Sequence, residues 1–318
     1  MQSIKKKKIL VTGGAGFVGS HLVDALLKKS AQVVVVDNLS TGRRENVNPK
    51  AKFYKQDLNA PAFEKVFKKH RPEIVFMLGF NTDVPKSVKD PLFDSRSITG
   101  SLRTLEFARR CGCKKVVFSS SSFVYGNTKN LPTKETEAMQ PENPYIISKA
   151  AVENYVRFYG KTYSLDYVIF RYATTYGPRQ VGGAMADYIR SIYAGRQAEI
   201  YGDGTKTRDY MFVGDVVRAS LMALDYKPQK NILPIFNLST GKETQLKVIY
   251  KKVARLLGKP KAKPLYMPDR PGEMIRSRLN RQKARKYLNW RPIVSLDRGL
   301  KITVDYFLKQ QRSKTKAR

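Results

Sequence analysis

The chain has 318 residues, 42% of them hydrophobic, enough to bury one large core or two joined ones. Lys and Arg number 60 against 26 Asp and Glu, and this net charge of +34 would attract phosphates, nucleic acids or an anionic membrane without specifying any of them. Two cysteines, Cys111 and Cys113, rule out a disulfide framework, and no basic-plus-apolar leader or long apolar run marks a secreted or membrane protein, so a soluble, reducing, cytoplasmic setting is expected.

Lys8–Thr12 reads as a short apolar strand, followed by a glycine-rich turn and a helical pattern over residues 20–29. Gly14, Gly16 and Gly19 satisfy G-x-G-x-x-G, and Gly13, Gly16 and Gly19 equally satisfy G-x-x-G-x-x-G. Strand, glycine turn and helix form the context a dinucleotide needs, because backbone N–H groups can approach a pyrophosphate at the positive end of the helix. Gln32–Asp37 is a second buried strand, and it ends in an acid 18 residues after Gly19. Asp37 there can accept both ribose hydroxyls of an adenosine and would repel a 2′-phosphate. That favours NAD over NADP, with Arg43 and Arg44 nearby arguing the other way. No G-x-x-x-x-G-K-[ST] occurs, so a nucleotide triphosphatase loop is not supported.

The alternation continues with strands predicted over 52–56, 73–78 and 115–119 and helices over 62–70 and 95–111. A helix over 144–160 and a strand over 166–171 extend it. Strands separated by helices call for right-handed crossovers, hence a Rossmann-type, doubly wound parallel sheet with ligands at its carboxyl edge. Ser119 to Ser122 end one such strand, where a hydroxyl could hold a substrate oxygen. Tyr145 and Lys149 lie four apart and share one helix face. A cation beside a phenol favours the phenolate, which can take a proton from an alcohol, although the same spacing arises by chance in many surface helices.

Beyond residue 176 the texture changes to turn-rich polar loops, with helices at 215–224 and 246–257 flanking an apolar stretch, 232–238, that reads as a late strand of the main sheet. Arg208 and Arg270 have the fork that grips a diphosphate, and in so basic a chain they are equally ordinary solvated residues. Helices are predicted at 283–290 and 296–308, with a frayed basic end at 313–318. From Lys242 onward 23 basic residues face 5 acidic ones, so the C-terminal quarter is the more cationic. No repeat and no metal-ligand cluster is evident, and His21 and His70 stand alone.

Taken together, these motifs resemble the extended short-chain dehydrogenase/reductase family, and within it the NAD-dependent epimerase/dehydratase group and its UDP-sugar 4-epimerases above all. The resemblance runs over residues 7–308 and is carried by 11–20, 36–42, 119–126 with Val124-Tyr125-Gly126, 144–149, 201–204 with 207–209, 270–273 and 290–292. It implies an NAD-dependent epimerase of a UDP-sugar, of the glucose/galactose pair or its N-acetyl forms. Tyr145 would take the proton of the sugar 4-hydroxyl while NAD⁺ takes the hydride from C4. Lys149 would tune Tyr145 and bind the nicotinamide ribose, and Ser121 would assist at the substrate oxygen. Cofactor contacts would come from Gly13, Gly16, Phe17, Val18, Gly19, Asp37, Asn38, Ser40, Asp57, Leu58 and Ser119, and substrate contacts from Thr174, Arg208, Arg270 and Glu273.

The resemblance also implies an NAD-binding unit over 1–176, with 210–241 returning to it, a smaller α/β substrate unit over 177–318, and a homodimer through helices 95–111 and 144–160. The Asp-Glu pair that dehydratases carry before Val-Tyr-Gly is Ser122-Phe123 here, which argues against dehydration. Three further departures leave the sugar open. The family's His-Leu-Ala-Ala is Met77-Leu78-Gly79-Phe80, an Asn in its next helix is Ser97, and the substrate-facing Asn is Thr174. Phe80 is expected to narrow the pocket near the nicotinamide. The competing readings are a reductase or decarboxylase of the same family, and a non-catalytic basic Rossmann protein that binds nucleic acid or an anionic surface. No nucleic-acid motif accompanies the charge, so nucleic acid is not expected.

Overall fold

A computed structural model describes residues 4–269 and 273–316. The first half alternates strictly: β1 (Lys8–Thr12), α1 (Phe17–Lys28), β2 (Gln32–Asp37), β3 (Lys52–Lys55), α2 (Phe63–His70), β4 (Ile74–Met77), α3 (Val84–Lys89), α4 (Pro91–Arg110), β5 (Lys115–Ser121), α5 (Pro144–Tyr163) and β6 (Asp166–Tyr172). The second half is more broken: β7 (Thr174–Tyr176), α6 (Ala184–Tyr193), β8 (Glu199–Tyr201), β9 (Thr207–Arg208), β10 (Tyr210–Phe212), α7 (Val213–Ala223), β11 (Ile235–Leu238), β12 (Thr244–Gln245), α8 (Leu246–Leu256), β13 (Leu265–Met267), α9 (Gln282–Leu288) and α10 (Leu296–Lys316).

Seven strands form one sheet in the order β11-β6-β5-β4-β1-β2-β3, with every neighbouring pair parallel. The order reverses direction at β1, where chain crossovers leave for opposite faces, and a crevice opens there at the carboxyl ends. Runs such as Val33 to Val36 are buried because both faces are covered. One face carries α1 and α7, with Leu22, Val23, Val216 and Ala219 in its core. The other carries α2, α4 and α5, built on Phe63, Phe67, Leu105 and Val152. A third apolar cluster joins α6, α8 and α10 through Tyr188, Ile249, Tyr250 and Val304, and it supports the loops that face the sheet edge from beyond β6.

Several elements differ from the sequence expectation, among them α6 and the short strands β7 to β10, β12 and β13, which lie in stretches read as loops or helix flanks. The helix expected from residue 95 begins at Pro91, and α3 precedes it. The side chains of Asp83 and Asp90 accept from the Lys86 and Phe93 amides at 3.0 and 2.9 Å, so each caps its own helix. At the other end, α10 runs through Lys316 where a frayed tail was expected. Its apolar face, with Leu300 and Val304 fully buried, anchors the helix, and no Gly or Pro after Leu308 stops it.

Candidate active site

The carboxyl ends of β1, β2, β4 and β5 and the loops from beyond β6 enclose a cleft of about 1900 Å³. Its floor is the turn between β1 and α1. Gly13 holds φ +69°, and a Cβ there would lie 2.7 Å from the Gly79 amide nitrogen, while a Cβ on Gly19 would run into the Gly13 carbonyl oxygen. These two positions therefore require glycine. Gly16 caps α1 without a side chain, so the amides of the first turn meet no competing side-chain acceptor. Such a turn fits a pyrophosphate, and Phe17, Val18 and Gly19 line the cleft beside it.

At the far end of β2, Asp37 is only 7% exposed and accepts from the Ala15 and Leu39 amides at 2.9 and 2.8 Å. Burial pushes its carboxyl above the ordinary value, and the two amides oppose that push. Asp57 lies alongside, accepting from the Asn59 amide at 2.8 Å and from Asn38 Nδ2 and Arg96 at 3.3 Å each. Burial resists its charge, but these donors prevail and hold its carboxyl below the usual range. Asn38, Ser40 and Leu58 line the same wall. The two arginines that argued for a 2′-phosphate are turned elsewhere: Arg43 pairs with Glu45 at 3.4 Å and Arg44 lies over the Phe53 ring at 4.7 Å. Glycine turn, uncapped helix and buried Asp37 together fit NAD.

Tyr145 and Lys149 occupy the first two turns of α5, which begins where Asn143 accepts from the Ile146 amide at 3.1 Å. The Lys149 ammonium donates to the Ser119 carbonyl at 2.5 Å and sits 3.9 Å above the centre of the Phe80 ring, with Phe118 at 5.0 Å and the Tyr145 ring at 5.9 Å. Burial pushes the lysine down to about 7 against the pull of the Glu153 and Asp94 carboxylates. The Tyr145 phenol is pushed up by burial, and Asp94 adds to the rise. The expected lowering of the phenol by Lys149 is not found: burial and the Asp94 carboxylate both act to raise it. Ser121 lines the cleft and its Oγ accepts from the Phe123 amide at 3.2 Å.

On the opposite wall, Thr174 presents a buried hydroxyl oxygen with no hydrogen-bond partner among the described residues. Arg208 and Glu273, both foreseen as ligand contacts, meet each other at 3.3 Å, and Arg208 also donates to the Thr207 carbonyl at 2.9 Å. Glu273 holds Lys206 as well, at 2.8 Å. Burial pulls the Arg208 guanidinium below its ordinary value, and Glu273 opposes that. Arg270 lies outside the described residues.

Sequence reasoning missed two buried carboxylates behind the pair. Asp94, fully buried, accepts from Asn81 Nδ2 at 3.0 Å and leaves its other oxygen without a partner among the described residues. Glu153, also fully buried, takes the Ser120 hydroxyl and both arms of Arg171, at 2.7 Å for the closest. Glu153 was legible, standing four residues after Lys149 on the same helix. Nothing local in the sequence brings Asp94 to Tyr145. Ser97, at the position of the family's Asn, accepts from the Asn81 amide at 3.1 Å and so fixes the segment after β4.

Residues 9–238 match the model of the NAD dependent epimerase/dehydratase family. The UDP-glucose 4-epimerase of Mycolicibacterium smegmatis is 39% identical over 311 residues, 94% of this chain and 98% of its own. The crystal structure of UDP-glucose 4-epimerase with UDP-glucose from Thermotoga maritima superposes with a TM-score of 0.92 at 42% identity, covering 95% of this chain and 99% of its own. The UDP-glucose 4-epimerase of Thermus thermophilus, solved in complex with NAD, gives 0.88 at 36% identity, over 94% and 98%.

Proposed function

The chain belongs to the NAD dependent epimerase/dehydratase family, and from that premise we propose that it is an NAD-dependent UDP-sugar 4-epimerase working through Tyr145, Lys149 and Ser121. The observation that carries the assignment is a convergence: the uncapped glycine turn, Asp37 and the Tyr145/Lys149 pair open onto one cleft at the carboxyl edge of a parallel sheet.

Tyr145 is the base for the sugar 4-hydroxyl and returns the proton when the alcohol re-forms. NAD⁺ held by these residues would supply reversible hydride acceptance at C4, and the chain's own part is to hold the cofactor and to move the hydroxyl proton through Tyr145. Lys149 lies 5.9 Å from the phenol ring, so its charge favours the phenolate once the phenol must ionise. Ser121 reaches the same oxygen by its hydroxyl. The glycine turn with Phe17, Val18 and Gly19 holds the pyrophosphate, and Asp37, Asn38, Ser40, Asp57 and Leu58 hold the adenosine. Ser119 positions Lys149 through its carbonyl oxygen.

Arg208 and Arg270 take the UDP diphosphate, Glu273 sets the direction of the Arg208 fork, and Thr174 offers to the sugar a hydroxyl that has no partner among the described residues. Ser122 and Phe123 stand where dehydration would need an acid and a base, which favours epimerisation over the dehydratases of the family.

Residues 1–176 with 210–241 form the cofactor unit and 177–318 mainly the substrate unit, supported by the pairing of β11 with β6. A homodimer through α4 and α5 is supported by Leu92, Ile147, Tyr155 and Phe158, apolar side chains left exposed on those helices. A cytoplasmic setting is supported by two free thiols.

The test is product identification. Purified protein incubated with UDP-glucose, UDP-galactose and their N-acetyl forms should interconvert one pair. Tyr145→Phe should cut turnover by about 10²- to 10⁴-fold while leaving NAD bound. Absence of any interconverted pair, or a Tyr145→Phe chain as fast as wild type, would overturn the assignment.

A further inference from the structure

We propose that Phe80 is a gate at the nicotinamide end of the cleft, whose ring competes with the cofactor ribose for the Lys149 ammonium. The inference rests on the cofactor reading above and concerns a residue that stands where the family carries a small one.

The Phe80 backbone is held on both sides. Thr12 Oγ1 accepts from the Leu78 and Gly79 amides at 3.2 and 3.1 Å, and Ser97 accepts from the Asn81 amide at 3.1 Å. Gly79 lies against the glycine turn itself, so the segment cannot retreat as a whole. The side chain is freer. Its ring is partly exposed, lines the cleft, and packs at 6.0 Å edge-to-face on Tyr145 and at 6.4 Å on Phe118.

The Lys149 ammonium has three donor directions. One is spent on the Ser119 carbonyl, and the Phe80 face takes another at 3.9 Å. Around it stand Asp94 of α4, Glu153 of α5 with its partner Arg171 of β6, and Tyr145, so among the described residues its counter-charges come from behind the cleft wall. A ribose that is to be bound by Lys149 must displace the ring from the ammonium, and the ring must turn about its own χ1 to yield. Each cation–π contact surrendered in this way weakens cofactor binding by the strength of that contact.

The experiment measures NAD binding by the full chain stripped of nucleotide, using equilibrium dialysis for affinity and stopped-flow NADH fluorescence for association. Phe80→Ala should bind NAD roughly 3- to 30-fold tighter and associate faster. Phe80→Leu keeps bulk without a π face, so it should tighten binding while association stays slow. In a Lys149→Met background Phe80→Leu should change nothing, because the competition has lost its object.

A wild-type chain that binds no NAD would sink the cofactor reading itself. A wild-type chain that binds NAD while Phe80→Leu binds equally well or worse would overturn the gate alone. Should Phe80→Ala fail to fold, as read by circular dichroism, the Leu variant decides.

Discussion

Lys149 sits in surroundings that resist its positive charge. It is 3% exposed, enclosed by Phe80 and Phe118, and pushed down to about 7 by burial. Unfolding returns it to water and to its ordinary value of 10.5, so between these two values the unfolded chain binds a proton that the native chain has shed. Native stability attributable to this group is therefore lowest below pH 7 and recovers as pH rises toward 10.5. Lys149→Met should stabilise the fold by a few kcal/mol at most near neutrality, with the gap over wild type closing in alkaline solution. Urea unfolding from about pH 6 to 10 reads this directly, and a gap that widens with pH would contradict it. The pair of Tyr145 and Lys149 was legible because helical spacing is local. The Phe80 ring, Asp94 and the Arg208–Glu273 contact were not, since each joins residues far apart in the chain and depends on which way a side chain turns after the backbone has folded.

At the level of elements, α5 is tied to β6 by a buried ion pair. Arg171 is met by Glu153, by the Tyr125 hydroxyl at 2.8 Å and by the Glu135 carbonyl, while Tyr125 donates to Asn237 on β11 at 2.7 Å. The network thus joins the helix that carries Tyr145 and Lys149 to the last two strands of the sheet. Replacing one ion leaves the other buried and unpaired, so Arg171→Leu should cost about 3–5 kcal/mol in a denaturant titration. Arg171→Leu combined with Glu153→Leu should recover a large part of it, because an apolar pair removes the stranded carboxylate. A double variant no better than the single one would contradict this account. The element order was readable from alternating apolar and helical runs, and so was the start of α5 from Asn143-Pro144. The split between α3 and α4 was written in Asp83 and Asp90 with Pro85 and Pro91, yet both caps lie inside a polar stretch that resembles one loop.

For the whole molecule, the sheet is assembled from distant parts of the chain. After β6 the chain leaves to build β7 through β10, then returns as α7 and β11, with α7 packing on the face that holds α1. Parallel order and the carboxyl-edge cleft follow from the crossover rule and were legible from the start. The third apolar cluster was legible only in α8 and α10; α6 was not foreseen, and the strands beside it are two or three residues long and carry no periodicity. The charge of +34 likewise has no single address in the fold: cations end α1, α2 and α4 as well as the C-terminal quarter.

The seat of β11 beside β6 has a practical result for anyone cutting the gene. A fragment stopped after Tyr176 would keep every residue proposed to hold the cofactor, yet it would leave the β6 rim with unmet amides and carbonyls and remove Val216 of α7 and Phe236 and Leu238 of β11 from the core. Such a half-length product should emerge as inclusion bodies, and light scattering after refolding would show it. A clear, monomeric, NAD-retaining fragment would mean that the late strand is an ornament instead of the keystone.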